Sequence, residues 1–368
     1  MPHHKTEFYE RLEDAVKRQS TGIINAHLHL DRSSTLDSRY LAHVGMDPLQ
    51  ASAYPLWVKQ DLTGDLHRGP AYERDDLKRR IRMQLDNLIA AGTKKAYSFI
   101  DVTADNVKTT AFEVALELKK EKKDSLDFQV GAYPIFGFKD DEPQRWNLFE
   151  QTAHSADFLG TLPERDARTG HIGYDEHIRR TLALAHKVKK PIHYHFDQGN
   201  DPRENGTETV IEAVRWLGSP KVEGENGPTV WAVHVISPSA YEEDRFEKML
   251  EGLQEYNIGV ICCPSAAISM RQLRPLTTPT HNSIARILEM AQRKIPVRLG
   301  SDNIADVFLP STTASLYDEV LVLSNTLRFY NVEVLAKLMC GVELNNMDRK
   351  AIHDSLEEDR KVFAKIRS

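Results

Sequence analysis

Histidines and aspartates with the spacing of metal ligands stand at the ends of short apolar runs in this sequence. The stretch IINAHLHLDR, residues 23–32, carries His27 and His29 one residue apart and Asp31 two residues further on. Alternate side chains of a strand share a face, so we expect these three to point the same way. Later runs end in the same residue types: His193 and His195 in IHYHFDQ, His234 in VWAVHVIS and Asp302 in LGSDN.

Eight strand-like apolar runs alternate with helical patterns along the chain. The runs are GIINAHLHL, KKAYSFIDV, DFQVGAYPIF, ADFLGTL, PIHYHFD, TVWAVHVIS, IGVICCPS and PVRLGSDN. Eight strands, most of them followed by a helix, is the count of a (β/α)₈ TIM barrel, an α/β fold whose strands all end at one mouth. A doubly wound open sheet shares the alternation, but its Gly-rich first turn is missing after the first run. At one barrel mouth, three imidazoles and one carboxylate suit Zn²⁺ or Fe²⁺ and leave a position for water.

The chain reads as a single domain, residues 1–368, without a β-sandwich. Residues 1–22 form an N-terminal helix with an apolar stripe through Phe8, Leu12 and Val16, residues 23–335 form the barrel, and residues 336–368 form a short C-terminal helical extension. Between the first strand and the first long helix, residues 32–73 predict a lid or pocket wall, in which Trp57 and Lys59 are candidates to face a ligand. Trp57 as a simple anchor of this segment is the equal alternative.

The composition argues against nucleic acid and membranes as binding partners. The 48 basic and 54 acidic residues are well mixed and give a net charge of −6, so no basic face indicates nucleic acid. No apolar run approaches the roughly 20 residues that span a bilayer, and three cysteines do not make a disulfide framework. We therefore expect a cytoplasmic protein that acts on a small molecule, contacts neither membrane nor nucleic acid, and assembles as a homo-oligomer.

The order of these residues resembles the amidohydrolase superfamily, and within it the adenosine and cytosine deaminase branch. The local patterns are NAHLHLD, SFIDVTAD, GAYPIFGF, HYHFDQGND, VHVIS and LGSDNIADVFLP, spread over residues 23–335. The resemblance implies one divalent metal, Zn²⁺ or Fe²⁺ with Mn²⁺ also compatible. Its implied ligands are His27, His29, His195 and Asp302, with His193 left as a packing or supporting residue. The run ADFLGTLPERD has no lysine to bridge a second metal, so a mononuclear site is expected.

The same resemblance implies hydrolysis of a carbon–nitrogen bond in a small nitrogenous, ring-containing compound. Water activated by the metal would attack, Asp302 would move its proton to the departing nitrogen, and His234 would polarise the water or the new oxygen. Deamination is the first expectation, and hydrolysis of a cyclic amide is the alternative.

The sequence departs from the family at two positions. Gln198 stands where the family has a proton-donating glutamate, and a glutamine cannot donate in that way. Three explanations stay open: a substrate that needs no such proton, which we favour, an engineered substitution, or a non-catalytic relative that binds ligands. Ile135 replaces a glutamine that reads a pyrimidine edge, which disfavours cytosine, since an unpaired polar edge costs about 1–3 kcal/mol.

Further candidates for substrate contact lie near the predicted ligands. Asp31, Asn303 and Asp306 can hold a polar substituent, and a structural hydrogen bond is the alternative for Asp31. Arg271 and Arg274 follow the seventh run and suit an anionic group, although a solvated loop charge is the more ordinary role.

Overall fold

Eight parallel strands form the centre of the molecule. The computed structural model describes residues 6–270 and 282–367. The strands pair in chain order, and they are β1 Ile23–Leu28, β2 Thr93–Asp101, β3 Asp127–Tyr133, β4 Phe158–Thr161, β5 Ile192–Phe196, β6 Val230–His234, β7 Gly259–Cys262 and β8 Val297–Leu299. Each coincides with one of the eight predicted runs, so the predicted (β/α)₈ barrel is confirmed.

Helices surround this sheet. They are α1 Glu7–Lys17, α2 Pro48–Ala51, α3 Leu56–Arg68, α4 Arg74–Ala90, α5 Thr110–Lys122, α6 Gln144–Ala153, α7 Pro163–Asp166, α8 Tyr174–Val188, α9 Gly206–Leu217, α10 Glu243–Glu255, α11 Pro264–Ser269, α12 Ile287–Gln292, α13 Leu316–Leu327, α14 Val332–Met339 and α15 Asn346–Arg367. Their buried residues recur at helical spacing, as Leu77, Ile81 and Leu85 do in α4. Burial of such stripes against the strands holds the outer layer in place.

The barrel closes where the chain after β8 meets the end of β1. The backbone N–H of Asp302 donates to the carbonyl of His27 at 2.9 Å, and the N–H of His29 donates to the carbonyl of Asp302 at 3.1 Å. Gly300 permits this approach, because a Cβ there would lie 2.6 Å from the Cβ of His27. Closure therefore brings Asp302 directly against the two histidines at the end of β1.

The ends of the chain pack outside the barrel. Helix α1 lies within the predicted N-terminal segment and packs on α14. Helix α14 begins at Val332 and so crosses the predicted boundary between residues 335 and 336. Within residues 6–270 and 282–367, no helix has both the length and the apolar character needed to cross a membrane.

Candidate metal centre

Four predicted ligands meet at the mouth of the barrel. The Nε2 atom of His27 lies 3.2 Å from Nε2 of His195 and 3.3 Å from Oδ1 of Asp302. Nε2 of His29 lies 3.3 Å from the same carboxylate oxygen. His234 joins them, since it groups with His27 and Asp302 as donors whose atoms all lie within 4.8 Å of one another. Strands β1, β5, β6 and β8 thus bring their terminal side chains to one point.

The imidazoles offer lone pairs at this point. Nδ1 of His195 lies 2.9 Å from the backbone carbonyl of Thr161, which only accepts hydrogen bonds. The ring proton therefore sits on Nδ1, and Nε2 is left bare toward the other ligands. Burial lowers the pKa of His29 and of His195 well below the ordinary value of 6.5, and it lowers the pKa of His234 to about 4. Neutral imidazoles are the form that binds a metal.

The carboxylate stays ionised in the same surroundings. Burial acts to raise the pKa of Asp302, but its contacts with His27 and His234 and the charge of Arg32 outweigh it and lower that pKa. The Nδ2 group of Asn303 donates to Oδ1 of Asp302 at 2.8 Å and orients it. Asp302 and His234 both have positive φ, 61° and 80°, a strained backbone conformation that clusters at functional sites.

This donor set fits a divalent transition metal. Three buried imidazoles and one buried carboxylate match the preference of Zn²⁺, Fe²⁺ and Mn²⁺ for mixed nitrogen and oxygen ligands. The tautomer of His195, set by Thr161, is the orientation that a metal-binding imidazole requires. His193 lies deeper in the barrel and stacks on Phe158 with ring centroids 4.5 Å apart, as a packing residue does.

A large cavity opens at the same mouth of the barrel as the ligand cluster. Its wall comes from loops that follow β1, β4, β5, β7 and β8, which is the mouth where TIM barrels bind substrates. In the described part of the chain the four ligands do not line it, but Gln198 follows His195 by three residues and Phe308 follows Asp302 by six. Apolar groups of the wall include Trp57, Met270, Phe308 and Leu309, and acidic groups include Glu164, Asp201 and Glu204.

Sequence reasoning missed one residue beside Gln198. The Nε2 group of Gln198 donates to Oε2 of Glu164 at 2.7 Å, which joins the loop after β5 to the loop after β4. Glu164 lies in the run TLPERD, directly after a buried strand, and that position was a signal, because functional side chains of barrels stand at strand ends. A glutamate thus lies within hydrogen-bond distance of Gln198, the position at which the resemblance implied a glutamate.

Asp31 is not among the donors of the ligand cluster, although it was expected to share the direction of His27 and His29; it makes structural hydrogen bonds, which was the alternative. Strand β1 ends at Leu28, and its register slips between Asn25 and Leu28, so strict alternation does not extend to residue 31. Oδ2 of Asp31 accepts from the backbone N–H of Asp101 at 2.8 Å and from the hydroxyl of Tyr72 at 3.2 Å.

The remaining predicted contact residues are spread around the cavity. Trp57 is 52% exposed and lines it, whereas Ile135 is buried among Tyr133, Phe99 and their neighbours. Asn303 accepts from Nε of Arg32 at 2.9 Å, and Asp306 accepts from the backbone N–H of Phe308 at 2.8 Å. Arg271 and Arg274 lie outside the described residues.

Comparison with known proteins identifies relatives along most of the chain. No family model matches. A protein of Haemophilus influenzae without an assigned activity is 24% identical over 294 residues, 79% of this chain and 97% of that protein. An N-isopropylammelide isopropyl amidohydrolase of Pseudomonas sp. strain ADP is 22% identical over 304 residues, 82% of this chain and 67% of that enzyme.

Solved structures show the same fold. The 5-methylcytosine deaminase from Klebsiella pneumoniae, crystallised with 5-fluorocytosine, superposes with a TM-score of 0.71 and 18% identity. The superposition covers 90% of this chain and 74% of that enzyme. The named relatives are hydrolases that act on carbon–nitrogen bonds. Their names agree with the predicted resemblance to amidohydrolases and deaminases, and the superposition shows the shared fold.

Proposed function

We propose that this chain is a mononuclear metal-dependent aminohydrolase that removes an amino group from a small, ring-containing nitrogenous compound. The observation that carries the proposal is the convergence of three buried imidazoles and one ionised carboxylate beside a large cavity at the barrel mouth. Relatives named as an N-isopropylammelide isopropyl amidohydrolase and as a 5-methylcytosine deaminase support the same reaction class.

The protonation state of each residue in the cluster determines the catalytic role that we assign to it. His27, His29 and His195, with Asp302, would hold Zn²⁺, Fe²⁺ or Mn²⁺, which when bound supplies the Lewis acidity that makes water nucleophilic near neutral pH. Asp302 is a carboxylate, so it can take a proton from the attacking water and pass it to the departing nitrogen. His234 is neutral, and its ring N–H can donate to the oxygen that develops on the attacked carbon.

The cavity wall supports a flat, nitrogen-rich substrate. Phe308, Leu309 and Trp57 offer apolar surface to a ring, while Glu164 and Glu204 offer polar groups that can hydrogen-bond to its nitrogen atoms. Binding such a compound beside Asp302 would place its amino-bearing carbon within reach of the attacking water. Asn303 and Asp306 would act from the same side, by fixing Asp302 and the loop that carries Phe308.

Two measurements test this function together. Protein purified without chelators is analysed for metal, and a single divalent ion per chain is expected. Ammonia or amine release is then followed with N-isopropylammelide, 5-methylcytosine, pterin and a panel of lactams. His29→Ala should lose both the metal and the activity, whereas His154→Ala, an exposed histidine on the outer surface, should keep both.

The product distinguishes this proposal from its alternatives. Ring opening without ammonia would indicate hydrolysis of a cyclic amide at the same site. Tight binding of a panel compound by the metal-loaded protein, with no hydrolysis of any, would overturn the catalytic proposal in favour of a ligand-binding protein. Gln198→Glu separates these cases further, because a binder would gain weak hydrolysis and an enzyme that depends on Gln198 would lose rate.

A further inference from the structure

We propose that Glu164 is the acid that protonates the substrate nitrogen during hydrolysis, as one half of a hydrogen-bonded pair with Gln198. This assignment rests on the proposed aminohydrolase function and adds a catalytic residue to it. It removes the difficulty that Gln198 itself has no proton to give.

The position of Glu164 is set by its hydrogen bond with Gln198 and by the pairing of β4 with β5. It lies in α7, the short helix that follows β4, and Oε2 accepts from Nε2 of Gln198 at 2.7 Å. Thr161, three residues earlier, supplies the carbonyl that orients the ring of His195. Because β4 and β5 are paired along Leu159–Thr161, the two loops that carry Glu164 and Gln198 leave the barrel side by side. Both side chains line the cavity.

The second oxygen of Glu164 is left for a ligand. Oε1 is buried and has no hydrogen-bond partner within residues 6–270 and 282–367. Leaving a buried polar atom unpaired costs about 1–3 kcal/mol, and such atoms are rare unless function requires them. Since Oε2 is the oxygen that accepts from Gln198, a proton on this carboxyl belongs to Oε1, the free side.

The surroundings keep that proton in place. Burial raises the pKa of Glu164 well above its ordinary 4.5, and the nearby carboxylates of Glu204 and Asp197 raise it further, against hydrogen bonds from the side chain and the backbone N–H of Gln198. Glu204 also lines the cavity, and burial raises its pKa to about 7. Its Oε2, however, already accepts from the hydroxyl of Ser237 at 2.5 Å and from the N–H of Gly199 at 3.0 Å.

The reaction needs an acid that the ligand cluster does not contain. When water adds to a carbon double-bonded to a ring nitrogen, the electron pair of that bond moves to the nitrogen, which must take up a proton. Asp302 would be engaged with the metal and the attacking water, and His234 would face the oxygen that develops on the carbon, so neither is left to supply it. Lys59 lines the cavity, but its ammonium donates to the carbonyls of Phe308 and Ser52.

The proton count closes with Glu164 in this role. One proton of the attacking water goes to Asp302, and the proton of Glu164 goes to the ring nitrogen. The carbon–nitrogen bond to the amino group then breaks, and that group leaves as ammonia with the proton held by Asp302. The second water proton, on the new oxygen, returns to Glu164 as the carbonyl forms. The net reaction adds one water and releases one ammonia.

Substitutions of isosteric side chains test the assignment in the metal-loaded enzyme. Glu164→Gln keeps an oxygen to accept from Gln198, and we expect kcat/KM to fall by roughly 10²–10⁴-fold with metal content unchanged. Glu204→Gln, the other carboxyl of the same wall, should cost much less. The exchange Glu164→Gln with Gln198→Glu returns a carboxyl to the pair and should recover at least part of the loss. Glu117→Gln, the same substitution on the outer helix α5, is the control and should retain the activity and the metal content of the wild type.

Infrared spectroscopy tests the proton without turnover. The difference spectrum of wild type minus Glu164→Gln at neutral pH should contain the carbonyl stretch of a protonated carboxyl. The assignment is overturned if this band is absent, if Glu164→Gln stays within about threefold of wild type, or if Glu204→Gln is the more damaged variant. In each of those cases the wild type still hydrolyses its substrate. If the wild type hydrolyses no compound of the panel, the proposed function itself has failed, and this assignment fails with it.

Discussion

His67 is a buried cation that ties the cavity wall to the barrel, and its loss should change how stability depends on pH. It lies near the end of α3, the helix that also carries Trp57. Its Nδ1 is 2.6 Å from Oδ2 of Asp105, and its Nε2 is 3.1 Å from Oδ2 of Asp101, the last residue of β2. Burial lowers the pKa of His67, but these two carboxylates outweigh it and raise that pKa from 6.5 to about 9.

The size of the effect follows from that pKa. A group whose pKa is higher in the folded state stabilises the fold fully below its unfolded pKa, about 6.5, and loses this contribution as pH rises through about 9. At about 1.4 kcal/mol for each pH unit, the rise corresponds to about 3 kcal/mol. The low pKa of Asp105, about 2, arises largely from the same contact with His67 and is not added.

Chemical denaturation of wild type and His67→Gln across pH 6 to 10 measures this contribution. Glutamine retains hydrogen bonding but carries no charge. The free energy of unfolding of the wild type should therefore exceed that of His67→Gln by about 3 kcal/mol more at pH 6 than at pH 10. His154→Gln, an exposed position, should show no such trend. A wild-type advantage that is constant over the range, or that grows with pH, would refute an ionised His67 between two carboxylates.

Two further predictions concern the ligands and the contact that assembles them. Asp302→Asn removes the proton carrier and replaces a charged ligand, so kcat/KM should fall by roughly 10²–10⁴-fold with weaker metal retention on dialysis; unchanged activity would remove Asp302 from the mechanism. Gly300→Ala would place a Cβ 2.6 Å from the Cβ of His27 and force β1 and β8 apart. We expect a loss of about 1–3 kcal/mol in denaturation and reduced metal content, whereas Gly64→Ala, whose Cβ would meet no atom closer than 3.6 Å, should retain its metal.

The fold was predictable because most residues of each barrel strand are buried and the strands stand out as short apolar runs. Parallel strands with both faces covered read as nearly continuous hydrophobic stretches, as VWAVH and GVIC do. The convergence of the proposed ligands was predictable for a related reason. Once eight strands are placed in one barrel, the ends of β1, β5, β6 and β8 share a mouth. His27, His195 and Asp302 therefore meet there because of the barrel geometry, independently of the sequence between the strands.

The direction of Asp31 was not predictable from alternation alone. The period of two holds only while the strand keeps its register, and β1 loses it before His29. Beyond that point the side chain follows whichever partners tertiary contacts bring near, here the N–H of Asp101 and the hydroxyl of Tyr72. Neither partner is marked as such in the sequence around residue 31.

The role proposed for Glu164 could not be predicted from the sequence for a different physical reason. This role also changes the interpretation of the glutamine at position 198. A sequence motif covers the residues that follow one strand. A catalytic side chain can, however, come from the loop that follows the neighbouring strand. The hydrogen bond between Gln198 and Glu164 is such a completion, because pairing of β4 with β5 brings the two loops together. A glutamine after His195 is therefore compatible with acid catalysis, provided that a carboxyl stands beside it, and the substrate need not be one that requires no proton. In this barrel the base would come from β8 and the acid from β4, with the substrate between them.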